Sequence, residues 1–322
     1  SMTACGVHRL VERLMCSMPG KRASSFFRCS TRSSGVPANQ EPIFMKCSRV
    51  GTPALAQPPL WVLRDADSTI YLFGSIHLLP PGTPWRRPDL DAALARADDL
   101  WFELPLSAEA DEDVVAYSRL LGTQPRGRRL TDQLSAEDAA RLQRIVDRFG
   151  LYSPGLETLR PWIAELALSL AADTRAGGRV EFGVDRTLEA STPLSVQRRA
   201  FETPEEQVRS LSSASDAAQV AALGVTLRDI EEAPELLLDI TRMWMEGDLD
   251  GLEATALSPL RAASPEVYRR LIVERNQRWA RQIEARLKGH GVTVMVVGAG
   301  HLVGPDSVPV MLRARDLLIE GP

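Results

Sequence analysis

Apolar positions come in short runs at both ends of the chain and at helical spacing between them. Trp61-Val62-Leu63 and Ile70-Tyr71-Leu72-Phe73, separated by Asp65-Ala66-Asp67-Ser68, predict a β-hairpin, so order is expected to begin near Leu60. The second run ends in Gly74-Ser75-Ile76-His77, and Pro80-Pro81-Gly82 stops the strand. Asp89–Ala97 reads as a helix and Leu100-Trp101-Phe102-Glu103 as a strand. Helices are expected over 109–121, 135–149, 156–175 and 184–191, with a strand in Leu194–Phe201. Thr203-Pro204-Glu205-Glu206 is a helix start, with a cap, a proline in the first turn and a capping-box glutamate.

From Asp216 to Leu287 the pattern is almost wholly helical, with breaks near Pro234, Gly247 and Pro259. Val292–Val297 is apolar and β-branched throughout, as a strand buried on both faces should be. A last helix over 305–315 and a strand at Leu317–Ile319 complete the pattern. The expected fold is α/β. A single mixed sheet is built from N- and C-terminal strands and covered by helices, with a largely helical middle segment.

Composition changes this picture only at the N-terminus. Apolar and charged fractions of 44% and 25% are those of an ordinary globular protein. Residues 1–56 hold eight Lys/Arg against Glu12 and Glu41, a net +6, so residues 57–322 carry −10 of the chain's net −4. All four cysteines (Cys5, Cys16, Cys29, Cys47) fall in the same segment, whose stretch 22–40 is rich in Ser, Arg and Pro. Residues 1–56 therefore read as a disordered leader or targeting segment, and 57–322 as the α/β domain. Ala54-Leu55-Ala56 resembles a small-x-small cleavage site, which with a thiol-free body suits a periplasmic or secreted protein. No apolar stretch of about 7–15 residues precedes it, which leaves a cytoplasmic location open. No run approaches the roughly 20 apolar residues of a transmembrane helix, and the negative charge offers no footprint for nucleic acid.

Candidate chemistry centres on an internal echo. Tyr71–Leu78 and Met295–Leu302 share one frame: an apolar strand, Gly, two residues, His, Leu. His77 and His301, two of only four histidines, thus stand at strand ends, where α/β sheets bind ligands. His8 lies in the leader, and His290, between Gly289 and Gly291, reads as an exposed turn. One GxxH says nothing, since a lone histidine of this kind is commonly a satisfied turn residue. Glu103 would complete a two-histidine, one-carboxylate metal shell, or else reach solvent from its strand end. Arg275 and Asn276 fall on or beside the apolar stripe of a helix after Pro265. There they would hold an oxyanion, or the amide would be satisfied by backbone. Glu202 reads as a general base or a solvated loop residue, and Asp185 as a helix N-cap.

Together, Gly74–His77 with Leu78, Gly298–His301 with Leu302 and Gly304, Glu103, Phe182-Gly183-Val184-Asp185, Phe201-Glu202-Thr203 and Glu274-Arg275-Asn276 resemble the TraB/GumN/PrgY family, whose animal relatives are the Tiki metalloproteases. The resemblance runs from about Leu60 to Ile319. It implies a fold related to erythromycin esterases and haem-binding ChaN proteins and, from the Tiki branch, metal-dependent peptide cleavage.

The expectation is a metal-dependent hydrolase acting on a peptide or small molecule. His77, Glu103 and His301 would hold Mn²⁺, Co²⁺ or Zn²⁺; Glu202, Arg275 and Asn276 would be catalytic. Two alternatives stay open: a non-catalytic haem-, metal- or peptide-binding protein, and a metal-free esterase with a histidine base. No Gly-x-Ser-x-Gly elbow supports serine chemistry.

Overall fold

A computed structural model describes residues 57–322; the expected leader, residues 1–56, lies outside the described residues. Six strands form one mixed sheet: β1 (Leu60–Arg64), β2 (Ser68–Ser75), β3 (Asp99–Phe102), β4 (Gln197–Ala200), β5 (Gly291–Gly298) and β6 (Ile319–Glu320). Their order is β4-β3-β5-β2-β1-β6. β4, β3, β5 and β2 run parallel, while β1 pairs antiparallel with β2 on one side and β6 on the other. β2 and β5 match over their whole length, from Ser68 opposite Gly291 to Ser75 opposite Gly298. The two GxxH turns therefore leave the sheet side by side.

The period-2 alternation of the strands explains why both faces are apolar. Tyr71, Phe73, Leu100, Phe102, Val294 and Val296 point into one core, and Ile70, Leu72, Met295 and Val297 into another. Over the first face lie α1 (Pro88–Leu94), α5 (Val184–Ser191) and α8 (Leu236–Glu246), which bring Leu90, Leu188 and Trp244. Over the second lie α9 (Glu274–Leu287) and α10 (Val308–Arg313), which bring Trp279, Ile283 and Leu312. The middle of the chain has its own apolar interior, where Val114, Ile145, Ile163, Leu168 and Leu227 pack together. These come from α2 (Ala108–Gly122), α3 (Ala136–Phe149), α4 (Pro161–Arg175) and α7 (Asp216–Glu232). Among the described residues no helix is long and apolar enough to cross a membrane.

Several boundaries shift for identifiable reasons. The helix expected over 156–175 is two, Ser153–Glu157 and Pro161–Arg175, because Pro161 holds Arg160 extended at ψ 156°. The expected strand at Leu194–Phe201 is confined to Gln197–Ala200, with Leu194 fully exposed before it. The start at Thr203 is a complete capping box on α6 (Pro204–Ser212): the Thr203 hydroxyl accepts from the Glu206 amide and the Glu206 carboxylate from the Thr203 amide.

Candidate functional site

Each of the four parallel strands releases one polar residue at its carboxyl end. Glu202 follows β4, Glu103 β3, His301 β5 and His77 β2, so the strand order sets them in one row. The first turn of α9 lays Arg275 and Asn276 against this row, both fully buried. Just before it, over Arg269–Val273, the helix widens into a single π turn, a distortion that recurs beside functional sites.

Arg275 ties three of the four together. Its Nη2 donates to Glu103 Oε2 at 2.7 Å, its Nε to Glu202 Oε2 at 2.9 Å, and its Nη1 lies 3.0 Å from His301 Nε2. Glu103 Oε1 also accepts from the Gly298 amide at 2.6 Å, which joins β3 to the second GxxH turn. Burial alone would raise the Glu103 pKa, but cationic surroundings, with the Arg275 guanidinium foremost among the described residues, hold it well below the usual carboxylate range. Burial likewise opposes the Arg275 charge, and Glu103 and Glu202 outweigh it, so its pKa is raised. Glu202 accepts from Arg278 Nη2 at 2.9 Å and Trp279 Nε1 at 3.2 Å as well as from Arg275. Its lone pairs are thus committed to positioning α9, an arrangement that leaves little capacity for the base role expected from sequence.

Asn276 fixes the second histidine. Its Nδ2 donates to the carbonyls of Asp306 (2.7 Å) and His301 (3.3 Å), which turns its Oδ1 toward His301 Nδ1 at 2.6 Å. The His301 proton therefore sits on Nδ1, and Nε2 keeps the lone pair that faces Arg275. Burial first, and then Arg275, push the His301 pKa well below its ordinary value. The Trp279 ring packs 4.4 Å from the imidazole. His301 is a neutral, rigidly held group, and Asn276 is its positioning residue.

His77 is different. Its Nδ1 meets Asp185 Oδ2 at 2.8 Å, and its buried Nε2 has no hydrogen-bond partner among the described residues. Burial disfavours the imidazolium, but Asp185 chiefly, with Glu103, outweighs it and raises the pKa. Asp185 also accepts from Ser75 Oγ at 3.4 Å. It sits in the first turn of α5 but does not cap it: the N-cap is Gly183, with no side-chain hydrogen bond. Asp185 is thus the site residue that sequence reasoning took for a cap, although it closes the Phe182–Asp185 motif.

Close backbone approaches hold this half. A Cβ on Gly183 would stand 2.0 Å from the His77 carbonyl oxygen, and the Val184 amide donates to Ile76 O at 3.0 Å. A Cβ on Gly74 would stand 3.2 Å from Ala299 Cα, where the two GxxH turns abut, and Trp244 Nε1 donates to Gly74 O at 3.0 Å.

All six residues singled out from sequence thus reach one edge of the sheet. They do not meet as an open three-ligand shell. His301 Nε2 and Glu103 Oε1 stand 4.0 Å apart with Arg275 bonded to both side chains, and no cluster of three His, Cys, Asp or Glu among the described residues is spaced to hold a metal ion.

The model of the TraB/PrgY/gumN family matches residues 59–321, the span that carries the sheet and all six residues. The chain is 25% identical over 265 residues to the "Uncharacterized protein YbaP" of Escherichia coli (strain K12), a match covering 80% of this chain and 92% of that protein. It is also 25% identical over 315 residues to an "Uncharacterized protein" of Treponema pallidum (strain Nichols), covering 85% and 88%. No solved structure matches the chain.

Proposed function

The chain belongs to the TraB/PrgY/gumN family, and from that premise we propose that it is a hydrolase working at His77, with peptides as its substrate class. One observation carries this reading: a half-buried imidazole whose Nδ1 is locked onto Asp185 at 2.8 Å and whose buried Nε2 has no partner among the described residues. An unpartnered buried nitrogen of this kind is costly unless something comes to use it. Nδ1–H donation to Asp185 leaves a lone pair on Nε2, the atom that takes a proton from a water or binds a cation. The carboxylate then stabilises the charge that develops on the ring.

The donor set agrees in kind with a divalent cation, Mn²⁺, Co²⁺ or Zn²⁺, held by His77, Glu103 and His301. Each imidazole has Nδ1 anchored to an oxygen, Asp185 Oδ2 for one and Asn276 Oδ1 for the other, as outer-shell groups do for ligating histidines. Such an ion would lower the pKa of a bound water toward about 7. Glu103 and His301 share their ligating atoms with Arg275, so cation binding competes with these contacts. Arg275 keeps a fixed positive charge beside Glu103 and His301, and Glu202 and Asn276 hold Arg275 and His301 in place.

The test is to incubate the full chain with a defined peptide mixture in Mn²⁺, Co²⁺, Zn²⁺ or chelator and to read the products by mass spectrometry. Fragments that accumulate in at least one metal arm and vanish with chelator are expected. Cleavage that persists in chelator would replace the metal reading with His77 as a metal-free base, and an intact mixture in every arm would reject the hydrolase.

A further inference from the structure

A cleft whose lining includes neither His77 nor His301 lies where the helical interior meets the core over the sheet. Phe149 and Ile230 line it from the helical side, Leu237 and Ile240 from the other. Its volume is about 510 Å³, within the roughly 300–1,000 Å³ of small-molecule sites, which favour such seams.

Two carboxylates enter this apolar setting, Asp173 from α4 and Asp229 from α7. Neither has a hydrogen-bond or ion-pair partner among the described residues. Burial pushes Asp173 up to about 7 and also raises Asp229. Behind the wall, Glu165 is pushed up to about 7, with the Thr226 hydroxyl at 3.4 Å as its hydrogen-bond partner. The cleft's two arginines do not answer these acids. Arg148 and Arg175 stack on the Phe149 ring at 5.0 and 4.8 Å and donate to the carbonyls of Ile230 and Arg148. Both are exposed, so water serves their charge. The unmet demand is that of a half-buried, unpaired carboxylate in an apolar cleft, whose charge a cation beside it would stabilise.

We propose that this cleft binds a primary ammonium compound with an apolar body, the ammonium at Asp173 and the apolar part against Phe149, Ile230, Leu237 and Ile240. Binding ionises Asp173 and releases its proton. The charged or titratable groups around it are Arg148, Arg175, Asp229 and, through Thr226, Glu165; the α8 wall and Thr255-Ala256 bring none. Affinity therefore rises with pH across the range where the empty site would still be protonated.

The test titrates 2-phenylethylammonium into the full chain by calorimetry at pH 8 and pH 6, with 2-phenylethanol as the neutral counterpart. Saturable binding at pH 8 is expected, with about a tenfold loss at pH 6, as for a group titrating near 7. Asp173→Asn keeps the side-chain shape and should weaken binding at least tenfold. Ser169→Leu, which crowds the cleft one helical turn from the acid and leaves its carboxylate in place, should weaken it too and carries the test if Asp173→Asn does not fold. Absence of saturable binding, equal binding of the alcohol, or full affinity in both variants would overturn the proposal.

Discussion

Glu103 and Arg275, 172 positions apart in the sequence, meet at 2.7 Å in the interior, where Arg275 is wholly out of solvent and Glu103 nearly so. The pair fastens the end of β3 to the first turn of α9, and through Gly298 to β5. Breaking a buried pair costs roughly 3–5 kcal/mol when the partner's charge is left unanswered, and here Glu202, still 2.9 Å from Arg275 Nε, answers part of it. Glu103→Gln should therefore lower the urea midpoint of the metal-free protein clearly. An unchanged midpoint would show that the pair contributes little to the fold.

Gly183 allows the start of α5 to lie against the His77 loop, since a Cβ there would stand 2.0 Å from a backbone oxygen rather than a yielding side chain. Gly183→Ala should destabilise the protein by about 1–3 kcal/mol or more, as overpacking does. It should also displace His77, and so lower hydrolysis together with melting temperature. A variant with the parent's melting temperature would show that the loop yields freely.

Asp185 raises the His77 pKa against the opposing effect of burial. A histidine whose folded pKa is raised adds stability that is fully present below its unfolded value, about 6.5, and is lost as pH rises through the folded value. Asp185→Asn should remove that contribution, costing more stability at pH 6 than at pH 9, and should bring the NMR titration of His77 below the ordinary histidine range. Metal affinity or activity should fall about 10–100-fold. A His77 titration unmoved by the substitution would mean that Asp185 does not set its charge.

Glu165 is pushed up to about 7 by burial. Below about pH 4.5 it is protonated both folded and unfolded and has no effect. Above that, the unfolded chain ionises first, so stability falls as pH rises toward 7. Glu165→Gln should change little at pH 4.5 and add on the order of 1–3 kcal/mol at pH 8. Equal effects at the two pH values, followed by denaturant unfolding, would contradict this.

Much of the fold was legible because its signals are local. The hairpin, the β-branched run of β5 and the capping box at Thr203 each declare themselves within a few residues. His77 and His301 were legible as a pair because their frames repeat, and the pairing of β2 with β5 explains the repeat. For Asn276 the backbone-satisfied alternative matches its bonds to the carbonyls of His301 and Asp306, whereas the partners of Glu202 were not legible. Whether a carboxylate ends in water or accepts from Arg275, Arg278 and Trp279 depends on where α9 lies, which sequence spacing does not encode. Asp185 was misread for the same reason: its position in a first helical turn fits a helix-start role, and its true partner lies 108 positions away.

The most direct test of the central claim compares wild type with His77→Ala for peptide cleavage and melting temperature, in the metal condition that best supports cleavage. Among the described residues Nε2 has no hydrogen-bond partner to lose, and only the Nδ1 bond to Asp185 is given up, so the variant should stay folded, with a melting temperature within a few degrees of the parent. Cleavage should fall at least about 100-fold, the scale of a lost acid–base group. Cleavage at the wild-type rate by a folded His77→Ala protein would contradict the account.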